Sequence, residues 1–476
     1  MHNVAEALGR LTELAASATV SRLATAFEAA GHELALVGGP VRDAFLGRPV
    51  NDLDFTTDAT PDEILAIVKP VAEATWDVGR QFGTIAAKIA GETVEITTYR
   101  ADTYDGESRK PEVVFGDTLE GDLVRRDFTV NAMALRLPRL ELVDPSGGIE
   151  DLVAKLLRTP SAPEVSFGDD PLRMLRAARF AAQLGFEIEP ETLEAMSALA
   201  PQIDRISAER VRDELTKTLV TTTPARGIRL LVETGLADRV LPEVPALRLE
   251  RDEHHRHKDV YEHSLTVLEQ AIEYEVARGR LDSPDLVVRL AALLHDIGKP
   301  RTRRYEPGGA VSFHHHDVVG AKLARKRLRA LRFDNDTADA VARLIELHLR
   351  FFGYTDASWT DSAVRRYVRD AGDQLERLHI LSRADVTTRN RRKADMLSFA
   401  YDDLEERIGV LAEEEELASV RPELDGQAIM AALGIRPGPV VGEAYRYLLD
   451  VRLDEGPIGE DAARERLLAW WAAREA

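Results

Sequence analysis

Two aspartates one residue apart, Asp52 and Asp54, follow a Gly38-Gly39 turn by about a dozen positions, and this arrangement can do phosphate chemistry. Side chains at i and i+2 of an extended segment point to the same face. An Asp-x-Asp strand therefore presents two hard oxygen ligands together, as a pair of Mg²⁺ ions holding a triphosphate requires. Gly38 and Gly39 end the apolar run Leu34 to Val37 and let backbone N–H groups approach phosphate. Pro40 opens a helix whose N-terminal dipole favours the same anion. Each piece alone is ordinary loop or strand-edge chemistry; the combination outlines a nucleotidyl-transfer site.

Three further segments carry chemistry of the same kind. Glu95 is an acid among β-branched neighbours in Val94-Glu-Ile-Thr-Thr-Tyr-Arg100. Arg125-Arg-Asp-Phe-Thr-Val-Asn-Ala-Met-Ala134 offers guanidinium groups that can fork onto phosphate oxygens and neutralise charge developing in phosphoryl transfer. In Asp169-Asp-Pro-Leu-Arg-Met-Leu-Arg-Ala-Ala-Arg-Phe180, Asp170, Arg173, Arg176 and Arg179 recur every three residues and share one drifting helix face, while Leu172, Leu175 and Phe180 can face a core.

Gly-Gly-x-Val-Arg-Asp, a short helix ending at Gly47 and then Asp-x-Asp resembles the nucleotidyltransferase superfamily, in the form found in CCA-adding tRNA nucleotidyltransferases and bacterial poly(A) polymerases. The resemblance implies that Asp52 and Asp54, joined by Glu95 as a third carboxylate, hold two Mg²⁺ ions. It further implies that Gly38, Gly39, Arg42, Arg126, Arg176 and Arg179 contact the nucleotide, with Asp127 and Asn131 bracing it or binding ribose. Asp170 and Arg173 would then select the base. An Asp can accept from an exocyclic amine while an Arg donates to the neighbouring acceptor, and cytosine and adenine both offer that pair. The chain departs from the family pattern in having Asp169 where a Glu is usual.

Ten of the 12 histidines fall between His254 and His379. His263, the doublet His295-Asp296, the run His314-His-His-Asp317, His348 and Asp385 follow an order that resembles HD-domain metallophosphohydrolases. The resemblance makes His263, His295, Asp296 and Asp385 the primary ligands of a divalent metal, with His316 and His348 available for a second ion. Imidazole and carboxylate are suited to Mn, Ni, Zn or Mg. Lys299, just past the doublet, can bind a substrate phosphate or complement the helix dipole.

These groups need a scaffold in two styles, and the sequence predicts an α+β chain. Apolar and β-branched runs at 34–39, 52–57, 84–89 and 93–98 read as strands of a small α/β head with a mixed sheet, preceded by an amphipathic helix over 5–30. Residues 101–122 are polar and turn-rich and read as a mobile loop. From Asp169 the pattern is almost wholly helical, punctuated by Gly and Pro. The expected division is a nucleotidyltransferase head (1–150), a helical neck (151–250), an HD-type metal-binding domain (251–400) and a helical tail (401–476).

Composition narrows the class. The chain has 476 residues, 44% hydrophobic and 30% charged, with no cysteine, so disulfides and thiolate zinc sites are excluded. No run of about 18 apolar residues and no basic-then-apolar leader is present, which predicts a cytoplasmic protein without a membrane partner. A net charge of −20 argues against non-specific coating of nucleic acid. Local Arg-rich stretches remain at 173–179, 205–229 and 322–332, the last equally readable as a solvated helix face.

The combined expectation is an enzyme adding C, C and A from CTP and ATP to the 3′ end of tRNA, with a possible HD phosphohydrolase activity. Alternatives within the fold are a poly(A) polymerase or a partial, A- or CC-adding, enzyme; the acidic tail, lysine-free after Lys393, weighs against poly(A) synthesis. From another class, the chain would be an HD phosphohydrolase with a nucleotide-sensing head, or a tRNA-binding factor. The intact Asp-x-Asp speaks against the former, and a mere binding factor leaves both clusters unexplained.

Overall fold

The computed structural model describes residues 4–475 apart from 51, 102–113, 117, 249–258, 280–282, 309–310, 352–353, 355–358, 387–390 and 416–420. The chain forms two compact units, Met1–Val240 and Leu241–Ala476.

The first unit is built on a mixed sheet whose strands follow the apolar and β-branched runs: β1 (Leu34–Val37), β2 (Leu53–Thr57), β3 (Ala74–Trp76), β4 (Thr84–Ile89), β5 (Glu92–Thr98), β8 (Ala134–Leu137) and β9 (Glu141–Val143). Among the described residues, the short strands β6 (Arg100–Ala101) and β7 (Val114–Phe115) pair with each other and not with the large sheet. The order across the large sheet is β3-β4-β5-β2-β1-β8-β9, with β2 and β5 parallel and the other neighbours antiparallel. Alternation decides its faces. Ile85, Ala87 and Ile89 of β4, Val94 and Ile96 of β5 and Leu53 and Phe55 of β2 are buried, while helices Ala18–Ala30 and Pro61–Val68 pack against the sheet. The alternate positions of β4 and β5, Glu95 among them, lie on the open face.

Residues 5–30 form two helices, Val4–Ala15 and Ala18–Ala30, where periodicity alone predicts one. Ser17 breaks the run by capping the second helix, its side chain accepting from the Val20 N–H. The loop expected over 101–122 lies largely outside the described residues. Its last part is helical: Thr118 caps a helix over Leu119–Val124. Beyond the sheet, helix Leu172–Leu184 is flanked by helices Ala208–Leu219 and Pro224–Glu233.

Among the described residues, the second unit is helical apart from one small hairpin, Arg304–Tyr305 with Val311–Ser312. Helices Val260–Ala277, Leu286–Leu294, His316–Ala330, Asn335–Leu347 and Leu375–Ala384 pack on one another. Helix Arg391–Glu415 runs through residue 400. Helices Gly426–Leu433, Pro439–Glu455 and Glu460–Glu475 enclose a separate small core of Leu424, Ile429, Ala444, Leu448, Ala463 and Leu467, with Tyr447 stacked on Trp470. Among the described residues no helix is long and apolar enough to cross a membrane.

Candidate active site and metal centre

The head site begins where β1 ends. Gly38 caps helix Gly39–Leu46 with φ +76° and ψ −123°, a conformation that favours glycine. A Cβ on Gly38 would point toward the Asn131 carbonyl at 3.6 Å and the Arg126 guanidinium at 3.8 Å. Alongside, Asp54 on β2 and Glu95 on β5 are direct partners in the parallel register, so their side chains share the open face. Asp52, just before β2, is exposed. Burial, then the charges of Glu95 and Asp52, push the Asp54 carboxyl up to about 6 against the opposing pull of Arg126. Three acids with one nearby arginine leave uncompensated negative charge on hard oxygen donors.

Arg126 is the partly exposed guanidinium of this site (24% at its side chain), and it is aimed by Asp122. Asp122 is fully buried and accepts from Arg126 at 2.9 Å, from Arg125 at 3.1 Å, from the Arg100 N–H at 3.1 Å and from Thr56 at 3.2 Å. Burial opposes its ionisation, but the two guanidinium groups hold its carboxyl below the usual range.

A second network runs behind the turn. Arg42 is buried, donating to both carboxylate oxygens of Asp43 at 2.9 and 3.0 Å and to Asn131 Oδ1 at 2.7 Å. Asn131 donates to Asp127 at 3.1 Å, and Arg176 donates to Asp127 through two nitrogens at 2.6 and 2.8 Å. Arg176 also reaches Glu214 at 3.5 Å, which takes a 2.6 Å bond from the buried Arg179. Burial alone would raise Asp127; the charge and hydrogen bonds of Arg176, with Asn131, outweigh it and hold the carboxyl at about 2. The Phe180 ring sits among the three arginines, with guanidinium carbons of Arg42, Arg176 and Arg179 at 5.3, 5.4 and 4.1 Å from its centroid.

Asp170 and Arg173 flank the start of helix Leu172–Leu184. Asp170 accepts from Arg210 at 2.7 Å, and Arg173 donates to Ser166 Oγ at 2.9 Å and to the Arg125 carbonyl at 2.7 Å. Arg173 thus ties this helix to the segment that carries Arg126.

In the second unit, helix ends converge. His263 lies in the first turn of its helix, His295, His348 and Asp385 cap the C-termini of theirs, and His316 begins a fifth. Nδ1 of His295, His316 and His348 each donates to the carbonyl three residues back, at 2.9, 2.8 and 2.6 Å. Carbonyls only accept, so Nδ1 carries the proton and Nε2 is left as a ligand. Two metal-competent groups result: His263, His295 and Asp385, and Asp296, His316 and His348. Asp296 faces both, with Oδ2 3.3 Å from His295 Nε2 and Oδ1 3.3 Å from His316 Nε2. His348 Nε2 is buried without a hydrogen-bond partner. Lys299 is 2.7 Å from Asp296 Oδ2. Against burial, Asp296 and Asp385 push His295 up to about 10, while burial and His295 hold His348 down at about 4.

Gly298 makes this convergence possible. A Cβ there would lie 2.0 Å from the His316 carbonyl oxygen and 2.7 Å from the Gly320 nitrogen, both backbone atoms. Glycine lets the turn after His295-Asp296 lie against the helix that brings His316.

Similarity to known proteins agrees with this geometry. Residues 34–158 match the Poly A polymerase head domain, residues 185–247 the probable RNA and SrmB-binding site of polymerase A, and residues 260–390 the HD domain. The A-adding tRNA nucleotidyltransferase of Deinococcus radiodurans is 37% identical over 447 residues, covering 92% of this chain and 95% of its own. The chain belongs to the CCA-adding family of tRNA nucleotidyltransferases. The CCA-adding enzyme of Streptococcus suis is 30% identical over 433 residues, 90% of this chain and 91% of its own. For other members the alignment is shorter: the chain spans about half the length of the Geobacillus and Bacillus CCA-adding enzymes it matches. The crystal structure of the Bacillus stearothermophilus CCA-adding enzyme in complex with CTP superposes with a TM-score of 0.66 at 25% identity, over 99% of this chain and 98% of that one. The family combines a nucleotidyltransferase head with an HD region, and in this member the HD region carries the metal-binding cluster just described.

Within this family member, the structure brings Asp52, Asp54, Glu95, Gly38 and Arg126 to one place. It puts Arg42, Asp127, Asn131, Arg176 and Arg179 in the network behind. Asp122, Glu214 and Arg210 are the residues that sequence reasoning missed. Asp122 stands four residues before Arg126, but inside the segment read as loop. Glu214 shares the buried face of its helix with Val211, Leu215 and Thr218, and an acid on an apolar stripe is the signal that could have found it. The basic stretch at 322–332 is largely paired: Arg325 and Arg329 meet Asp339, and Arg327 meets Glu243.

Proposed function

We propose that this enzyme completes the 3′ end of tRNA, adding C, C and A from CTP and ATP without a template. The supporting observation is the pairing of Asp54 with Glu95 beside the Gly38 turn and Arg126, in a chain related along its length to enzymes named for this activity. The donor set fits Mg²⁺, because its ligands are carboxylate oxygens and their mutual repulsion, felt by Asp54, is the kind a cation relieves. Asp52, Asp54 and Glu95 would hold two Mg²⁺ ions, which when bound supply charge neutralisation and an activated 3′-hydroxyl.

The chain's own residues orient the reactants. Backbone N–H groups at Gly38 and Gly39 and the helix they open receive phosphate. Arg126, held by Asp122, offsets charge on the triphosphate, a contribution of positioning and electrostatics. Asp170 and Arg173 read the base, Asp170 exchanging its Arg210 partner for the exocyclic amine. Arg42, Asp127, Asn131, Arg176 and Arg179 set the relation between the turn and helix Leu172–Leu184, and Arg176 is the member with most access to a bound nucleotide. On this reading residues 1–150 are the head, 151–250 the neck, 251–400 the HD domain and 401–476 the tail. The HD cluster performs metal-dependent phosphohydrolysis, and the protein works in the cytoplasm on the tRNA acceptor arm.

A second reading has a specific observation in its favour. The Deinococcus radiodurans relative, alike over nearly the whole chain, is named for adding A. Incubation with Mg²⁺ and tRNA transcripts ending before the CCA, or after CC, separates the two. Growth by two nucleotides with CTP and by a third when ATP is added supports CCA addition. Extension only of the CC-ended transcript, by one A, replaces it with the A-adding reading, and long adenylate tails would point to poly(A) synthesis.

A further inference from the structure

On the open face of the sheet, Asp54, Glu95, Ala86 and Trp76 form a row across four adjacent strands, each residue the direct register partner of the next. Partners opposite one another project to the same side. The row therefore runs from the carboxylates, over the small Ala86, to an indole on the edge strand β3. At ordinary strand spacing Trp76 stands about 10 Å from Glu95. A large aromatic at such a place would normally be covered, yet Trp76 is 44% exposed, and the turn beyond it adds Val78 at 87% and Phe82 at 52%. Lys88, two residues beyond Ala86 on the same face of β4, is likewise exposed at its side chain (45%), its Nζ in a loose 3.9 Å pair with the exposed Glu73 that an RNA phosphate can replace.

The groups assigned to the nucleotide lie on the other flank. Gly38 follows β1, and Arg126 and Asn131 precede β8, the strands on the far side of β2 from β5. In-line transfer requires the attacking hydroxyl to arrive opposite the departing pyrophosphate. With the triphosphate on the β1 and β8 side, the attacking strand comes over β5, β4 and β3.

We propose that Trp76 is a primer-binding residue, the platform on which a base near the 3′ end of the acceptor RNA stacks before its terminal hydroxyl reaches the carboxylates. This rests on the nucleotidyl-transfer reading above. The occupant is single-stranded RNA because every base offers a π-face while its backbone suits a neighbouring cation such as Lys88, and such stacking tolerates a terminus whose sequence changes as it grows.

The test is steady-state extension of a tRNA transcript lacking CCA by wild type, Trp76→Ala, Trp76→Leu and Trp76→Phe, varying RNA and CTP separately. Removing a stacked base contact is expected to raise KM for the RNA roughly 5- to 100-fold while KM for CTP stays put. Trp76→Phe should retain most of the affinity. Trp76→Leu, which keeps apolar bulk on the edge strand without a π-face, should behave like Trp76→Ala. Wild-type RNA KM in Trp76→Leu, or an equal rise in both KM values, would overturn the platform while leaving the transferase reading intact. Failure of the wild-type protein to extend both this transcript with CTP and a CC-ended transcript with ATP would overturn the nucleotidyl-transfer reading beneath it.

Discussion

Asp54 and Glu95 are register partners on two parallel strands, although 41 residues separate them in the chain. Both carboxylates face the open side of the sheet, and their repulsion is part of why Asp54 titrates near 6. Asp54→Asn should therefore do two opposite things. Nucleotide addition falls by roughly 1000-fold or more, as the proposed role of Asp54 in holding ions that stabilise the transition state by several kcal/mol requires. Stability without Mg²⁺ rises, because a raised folded pKa means that ionisation costs the native state more than the unfolded one. The sign fixes the window: the wild-type penalty is absent below about pH 4 and grows as pH climbs through about 6. Thermal melts at pH 4 and pH 7.5 in EDTA should show the variant gaining only at the higher pH. A variant less stable than wild type at pH 7.5 would contradict this account.

The Asp127 to Arg176 pair behaves in the reverse sense. Its folded carboxyl is held at about 2, below the ordinary Asp value of 3.8. The pair stabilises fully above about pH 4 and is lost as pH falls toward 2. Urea denaturation of wild type and Asp127→Asn at pH 7 should differ by on the order of 2 kcal/mol, and the gap should close between pH 4 and pH 2. A gap independent of pH would show that shape, and not charge, is what Asp127 contributes.

Local chemistry was legible in the sequence, and long-range pairing was not. Gly38-Gly39 before Asp-x-Asp could be read because turn, helix start and strand lie within twenty residues. Glu95 was visible as an acid among β-branched residues, but its register with Asp54 depends on which strands pair. Asp122 and Glu214 aim arginines that the sequence did display, yet a carboxylate's partner is set by tertiary packing, and a polar segment around Asp122 looks like loop. The histidine order was readable since each ligand stands at or near a helix end, where capping and apolar periodicity leave marks. The double role of Asp296, with one oxygen toward each group of donors, depends on the angle at which its helix end arrives. Ser17 had the residue type of a cap, but the apolar periodicity continues through it.

The carboxylate site of the head and the HD metal-binding cluster belong to different compact units, so their chemistry should separate. His295→Ala with Asp296→Ala removes a donor from each of the two groups in the HD region. The double variant should lose bound divalent metal, measured by plasma emission after dialysis, and with it hydrolysis of a chromogenic phosphodiester. CCA addition by the same preparation should stay near wild type. Loss of both activities in a folded double variant would mean that the centres are coupled.

Gly298 offers a sharper probe of how the metal-binding cluster is assembled, because it ligates nothing. A Cβ at this position would overlap the backbone of His316 and Gly320, and backbone cannot swing aside as a side-chain end can. Gly298→Ala must therefore push helix His316–Ala330 away from the turn after Asp296, parting the 3.3 Å approach of His316 Nε2 to Asp296 Oδ1. The group of Asp296, His316 and His348 should be weakened most, since the other set does not draw on that helix. Titration with Mn²⁺ followed by calorimetry should then show one class of site weakened by at least about tenfold, the loss typical when support around a metal ligand is disturbed, while the other is retained. Equal loss at both classes would mean that the turn at Gly298 sets the position of His295 as well, and that the two groups form a single unit.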